Sequence, residues 1–138
     1  MSEAKATADG SISELGLTED SIVQEFGYDD DVDFELRERI EELTGEEILD
    51  EDDQEVVDAA LLWWRDGDGD LVDALVDTQS QLDDGGVVWL LTPKSGREGY
   101  VSPADVESAA STAGLHRTTT AGVSEDWSAV RLAPKRNF

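Results

Sequence analysis

Two uninterrupted apolar runs constrain this chain more than any other feature: DAALLWW at residues 58–64 and VVWLLTP at residues 87–93. Both have strand length, and neither alternates. A strand with one wet face alternates apolar and polar residues, so these two need cover on both faces. A mostly parallel sheet between layers of helices provides it. Between the runs, DLVDALVDTQSQL puts Leu71, Val72, Leu75, Val76 and Leu82 on one helical face and leaves Asp73, Asp77 and Gln81 off it. DDGG then reads as the turn into the second run.

The flanking segments extend the alternation. SIVQEFGY reads as a short strand and DDDVD as an acidic turn after it. FELRERIEEL spaces Leu36, Ile40 and Leu43 as a helix stopped by Gly45, and EEILDEDD offers a second short strand. SPADVESAASTAG has Ser102 as N-cap, Pro103 at the first helical position, Asp105 three after the cap and Gly114 as stop. HRTTTAGV and WSAVRLAP, separated by SED, form a hairpin. The expected architecture is therefore an α/β three-layer sandwich, its sheet mostly parallel and ending in an antiparallel hairpin. Residues 1–16 are small, polar and without periodicity, which predicts a mobile N-terminal tail; 17–138 form a single domain.

Charge narrows the partners. The chain has 34 acidic and 10 basic side chains, net −24. Residues 1–84 hold 29 acidic and 4 basic groups, against 5 and 6 in residues 85–138. So acidic a surface repels nucleic-acid backbone and anionic lipid. It predicts no nucleic-acid or membrane contact, and it suits a basic protein partner. With no cysteine there is no disulfide framework, thiolate metal site or thiol nucleophile. The start MSEAKATADG lacks a signal-peptide pattern, and no apolar run is long enough to span a bilayer, so a cytoplasmic location is expected.

The motif that invites a metal is DGDGD, residues 66–70. A calcium loop needs Gly at position 6 and a bidentate Glu at position 12; Leu71 and Asp77 stand there, and Leu71 already begins the helix. The stretch is better read as a strand-to-helix turn in which Asp68 or Asp70 caps the helix, and no metal is assigned. Its position matters more. Ligands of open α/β sheets bind beyond the carboxyl ends of parallel strands, where the strand order reverses. Tyr28–Asp31, Asp50–Asp53, Arg65–Asp70 and Thr92–Arg97 would meet at that edge. The candidate ligand-binding residues are Tyr28, Asp29, Asp50, Arg65, Asp66, Lys94 and Arg97. GYDDD after the first strand has one glycine and three negative charges, which repel a phosphate. His116 stands alone, no GxSxG, HExxH or P-loop is present, and no catalytic residue is assigned. Trp63, Trp64, Trp89 and Trp127 are expected in the core.

SIVQEFGYDDDVD, LLWWRDGDGDLVDALVD, GGVVWLLTPKSGREG and DWSAVRLAPK, in this order, resemble the actinobacterial domain-of-unknown-function family numbered 3052. The layout is also similar to the Rossmann-like core of S-adenosylmethionine-dependent methyltransferases, with their antiparallel final hairpin. That likeness implies a glycine-rich turn after the first strand for the cofactor, of which only Gly27 is present. It implies an acid ending the second strand for the ribose, which Asp50 matches. The expectation is a non-catalytic regulatory or protein-interaction module with an acidic surface and no cofactor. The alternative is a methyltransferase-like enzyme or small-molecule sensor, with S-adenosylmethionine at the carboxyl edge.

Overall fold

The computed structural model of the chain describes Ile12 and residues 14–135. A five-stranded sheet forms its centre, with β1 Val23–Phe26, β2 Val57–Trp63, β3 Leu82–Pro93, β4 Leu115–Ala121 and β5 Trp127–Pro134 in the order β1-β2-β3-β5-β4. β1, β2 and β3 run parallel, and β5 lies antiparallel between β3 and β4. Three helices complete the described fold: α1 Phe34–Thr44, α2 Leu71–Thr78 and α3 Pro103–Thr112. Leu36 and Ile40 of α1 pack on one sheet face with Leu61, Trp63, Trp89 and Trp127. Leu75 of α2 and Val106 of α3 pack on the other with Leu62, Val88 and Leu90. Both apolar runs are buried on both sides, which is why neither alternates. Trp63, Trp89 and Trp127 lie in the core; Trp64 is half-buried at its margin.

The caps expected at Asp70 (rather than Asp68), Ser102 and Gly45 hold, and Asp33 adds one that was not expected. Asp33, Asp70 and Ser102 accept backbone N–H bonds at the starts of α1, α2 and α3, and Gly45 closes α1 in the left-handed region.

Three expectations need correction. The helix from Leu71 does not reach Leu82. Thr78 Oγ1 and Gln79 Nε2 both donate to the Leu75 carbonyl, and the helix ends at Thr78. Leu82 instead starts β3, paired with Val57, and Val76 is 51% exposed. DDGG is not a turn ahead of the strand but an excursion within it. The next pair after Val57↔Leu82 is Ala59↔Val87, so Asp83–Gly86 stand opposite Asp58 alone. EEILDEDD, finally, yields a single parallel bridge, Leu49 beside Gln24. The run Asp50–Asp53 folds as a turn because its own carboxylates take its backbone N–H groups: Asp50 accepts from Asp52, and Asp53 from Asp50.

Packing begins before the expected boundary at residue 16. Ile12 and Leu15 are buried, and Trp89 Nε1 donates to the Leu15 carbonyl at 3.1 Å. Of the rest of the expected tail, residues 1–11 and residue 13 lie outside the described residues.

Candidate functional site at the carboxyl edge

Leu49 bonds to β1 through the Val23 carbonyl and Glu25 N–H, on the edge away from β2. The chain thus leaves β1 in one direction and returns past it to β2, so the order reverses between β1 and β2. The carboxyl ends of these two strands are the switch point, where such folds hold ligands.

Arg65, two residues past β2, occupies that point. Its Nη1 donates to the Gly27 carbonyl at 2.9 Å and the Trp63 carbonyl at 3.2 Å, bridging the two strand ends. Nε donates to Asp31 at 3.0 Å, and Nη2 reaches the other oxygen of the same carboxylate, giving a bidentate pair. Asp68 accepts from both Nη1 and the backbone N–H of Arg65. The guanidinium also lies over the Trp127 ring, 5.2 Å from its centroid, and the Arg65 side chain is only 15% exposed. Burial opposes its charge, but the bonds from Asp31 and Asp68 outweigh that and raise its pKa. The same contact with Arg65 holds the Asp31 carboxyl below its ordinary range.

Gly27 shows how tightly this edge is closed. Its φ of 76° is unfavourable for any residue with a Cβ, and a Cβ there would stand 2.3 Å from the Trp63 carbonyl oxygen. Its N–H faces Glu51 Oε1 at 3.4 Å, while its carbonyl is taken by Arg65. The turn that follows is fixed from both sides: Trp127 Nε1 donates to the Asp31 carbonyl, and Asp33 accepts from Leu36 N–H and Ser124 Oγ. Deeper in, Glu25 accepts from Trp63 Nε1 at 2.7 Å and pairs bidentately with Arg37 at 2.8 and 3.0 Å.

The structure brings only some of the seven candidates together. Arg65 is central. Arg97 pairs with Asp126 at 3.2 Å and Lys94 N–H donates to the Asp126 carbonyl, so both serve the loop before β5. Asp66 ties its N–H to the Gly99 carbonyl. Asp29 accepts the N–H of Asp30. Asp50, the residue matched to a ribose-binding acid, uses its carboxylate on Asp52 N–H and its carbonyl on Gln24 Nε2. Tyr28 is 51% exposed, edge-on to Phe34 and stacked on Arg37. Sequence reasoning put the segments holding Asp31, Glu51 and Asp68 at this edge without choosing those residues, and it missed Trp127 and the Glu25–Arg37 pair. One signal existed for the pair: a carboxylate inside the apolar VQEF strand requires a cation, and Arg37 is the first one after it.

In the conformation described, these residues do not fit a nucleoside cofactor at the switch point. Gly27 offers neither backbone group to a ligand, and Asp50 turns its carboxylate to its own turn. Two open grooves, of about 430 and 660 Å³, lie at the amino-terminal edge, where Asp84–Val87 and Arg131 contribute to both. Among the described residues no group of three or more acidic or histidine side chains converges to hold a metal, and no helix is long and apolar enough to cross a membrane.

Residues 12–136 match the family described as protein of unknown function DUF3052. Uncharacterized proteins of Mycobacterium tuberculosis and Mycobacterium bovis are 50% identical over 123 residues, covering 89% of this chain and 77% of theirs. Among solved structures, the pyocyanin biosynthetic protein PhzM superposes with a TM-score of 0.68 at 13% identity, over 96% of this chain but 56% of its own. Magnesium protoporphyrin IX methyltransferase ChlM of Synechocystis PCC 6803, with bound S-adenosylmethionine, gives 0.58 at 12% identity over 96% and 80%. A TehB-like S-adenosylmethionine-dependent methyltransferase of Corynebacterium glutamicum gives 0.54 at 12% over 93% and 88%. At such identities the likeness is one of fold: a Rossmann-like core of the methyltransferase type.

Proposed function

The chain belongs to the DUF3052 family, and from that premise we propose that it is a non-catalytic, regulatory protein-interaction module whose acidic surface engages a basic protein. One observation carries the reading. The switch-point crevice, where a fold of this type keeps its ligand, is taken up by Arg65 and its partners Gly27, Trp63, Asp31 and Asp68. With the crevice filled from within, the chemistry left to the molecule is that of its surface, at net −24. The test is affinity capture with the full chain from lysate of a source organism at low and at moderate salt. A specific basic protein retained at both, and weakened at the higher salt, is the expected result. No specific protein at either salt contradicts the proposal.

A second reading, a methyltransferase-like enzyme or sensor, draws on the fold likeness to structures that hold S-adenosylmethionine or S-adenosylhomocysteine. It requires Arg65 and Glu51 to leave Gly27 when a ligand enters.

A further inference from the structure

Most of the acidic half presents charge, but at one place it presents two aromatic rings. Tyr28 and Phe34 flank the acidic turn and are 51% and 47% exposed. Their centroids are 6.0 Å apart at 78°, an edge-to-face pair. One face of Tyr28 rests on the Arg37 guanidinium, 5.0 Å from the ring centroid. Arg37 is in turn locked to Glu25, whose side chain is 4% exposed and also held by Trp63. The Tyr28 ring is therefore seated on a half-buried arginine paired with a buried carboxylate, while half of the ring faces solvent. Exposed Asp29 and Asp30 follow Tyr28 in the chain, and exposed Glu35 follows Phe34.

Solvent-facing rings cost hydration free energy that burial elsewhere would recover, and this pair stays at the surface on contacts with each other and with Arg37. An exposed aromatic ring with carboxylates next to it in the chain suits one kind of group: a guanidinium or ammonium laid on the ring with a carboxylate beside it. Glu25 already cancels the charge of Arg37, so the cation beneath does little to repel one above.

We infer that Tyr28 and Phe34 are the docking epitope for a basic protein segment, with an arginine or lysine of that segment stacked on the open face of Tyr28. The inference rests on the partner-binding reading above and adds where the partner binds and what recognises it. It is tested on the full chain, isotope-labelled, titrated at low salt with a synthetic peptide of alternating glycine and arginine. Amide shifts should concentrate within residues 28–38. Tyr28→Ala, an exposed change with its fold checked by melting, should weaken binding about three- to tenfold. Asp73→Asn/Asp77→Asn, exposed on α2 across the sheet, should weaken it less than about twofold. Shifts spread over α2, or equal losses in both variants, would overturn the epitope and leave the acidic-surface reading standing. No binding of the peptide by the native chain at low salt would overturn both.

Discussion

Arg65 is where charge, shape and topology meet on a single side chain. Removing it strips two carbonyls and two carboxylates of a donor at a largely buried position. Arg65→Ala should therefore cost about 2–3 kcal/mol in urea unfolding. Arg65→Lys should recover little of that, because an ammonium cannot form the bidentate fork with Asp31 while also bridging two strand ends. Gly27→Ala, at φ 76° and 2.3 Å from the Trp63 carbonyl oxygen, should cost about 3 kcal/mol or more by the same measurement. Asp31 adds a pH dependence of known sign. Its folded pKa lies below the ordinary value of 3.8, so its contribution is complete above that value and fades as pH falls through the depressed one. The melting-temperature gap between the native chain and Asp31→Asn should thus persist at pH 5 and close progressively below the usual carboxylate range. Arg65 could be chosen from sequence because a cation just past an apolar parallel strand falls at the ligand edge. Asp31 could not be separated from Asp29 and Asp30, since only the turn geometry decides which of three adjacent acids faces the arginine.

At the scale of elements, the apolar runs were legible because burial on both faces leaves a direct mark on composition. β2 and most of β3 follow from that; the final hairpin and the N-caps of α2 and α3 were legible from turn and capping residues. Two of the three misread elements share one cause: local side-chain hydrogen bonds overrode periodicity. Thr78 and Gln79 end α2 before its apolar pattern runs out, and the acids at Asp50–Asp53 fold into a turn where a strand pattern was read. DGDGD separates along the same lines. Asp70 accepts from Val72 and Asp73 N–H groups and caps α2. Asp70→Ala should cost about 1 kcal/mol in thermal or urea unfolding. Asp66→Ala should stay within about 0.5 kcal/mol, because Asp66 contributes only its backbone N–H to the Gly99 contact.

The whole molecule is governed by its net charge of −24. Mutual repulsion among the carboxylates opposes the compact state, and salt screens it over a Debye length of about 8 Å at physiological strength. The native chain should melt at a higher temperature in moderate salt than in low salt; a melt that falls as salt is added contradicts that. In the proposed reading, the acidic surface is offered to a basic partner, and Arg65 holds the place where such folds keep a ligand. Charge was plain in the sequence, as was the lack of a glycine-rich turn. That the chain's own arginine fills the resulting space was not, because it depends on strands distant in sequence meeting at one edge. The most direct measurement is a calorimetric titration of the full native chain with millimolar S-adenosylmethionine and, separately, S-adenosylhomocysteine. The account predicts flat titrations with both. Saturable heat at one site per chain, lost or altered in Asp50→Ala, would contradict it.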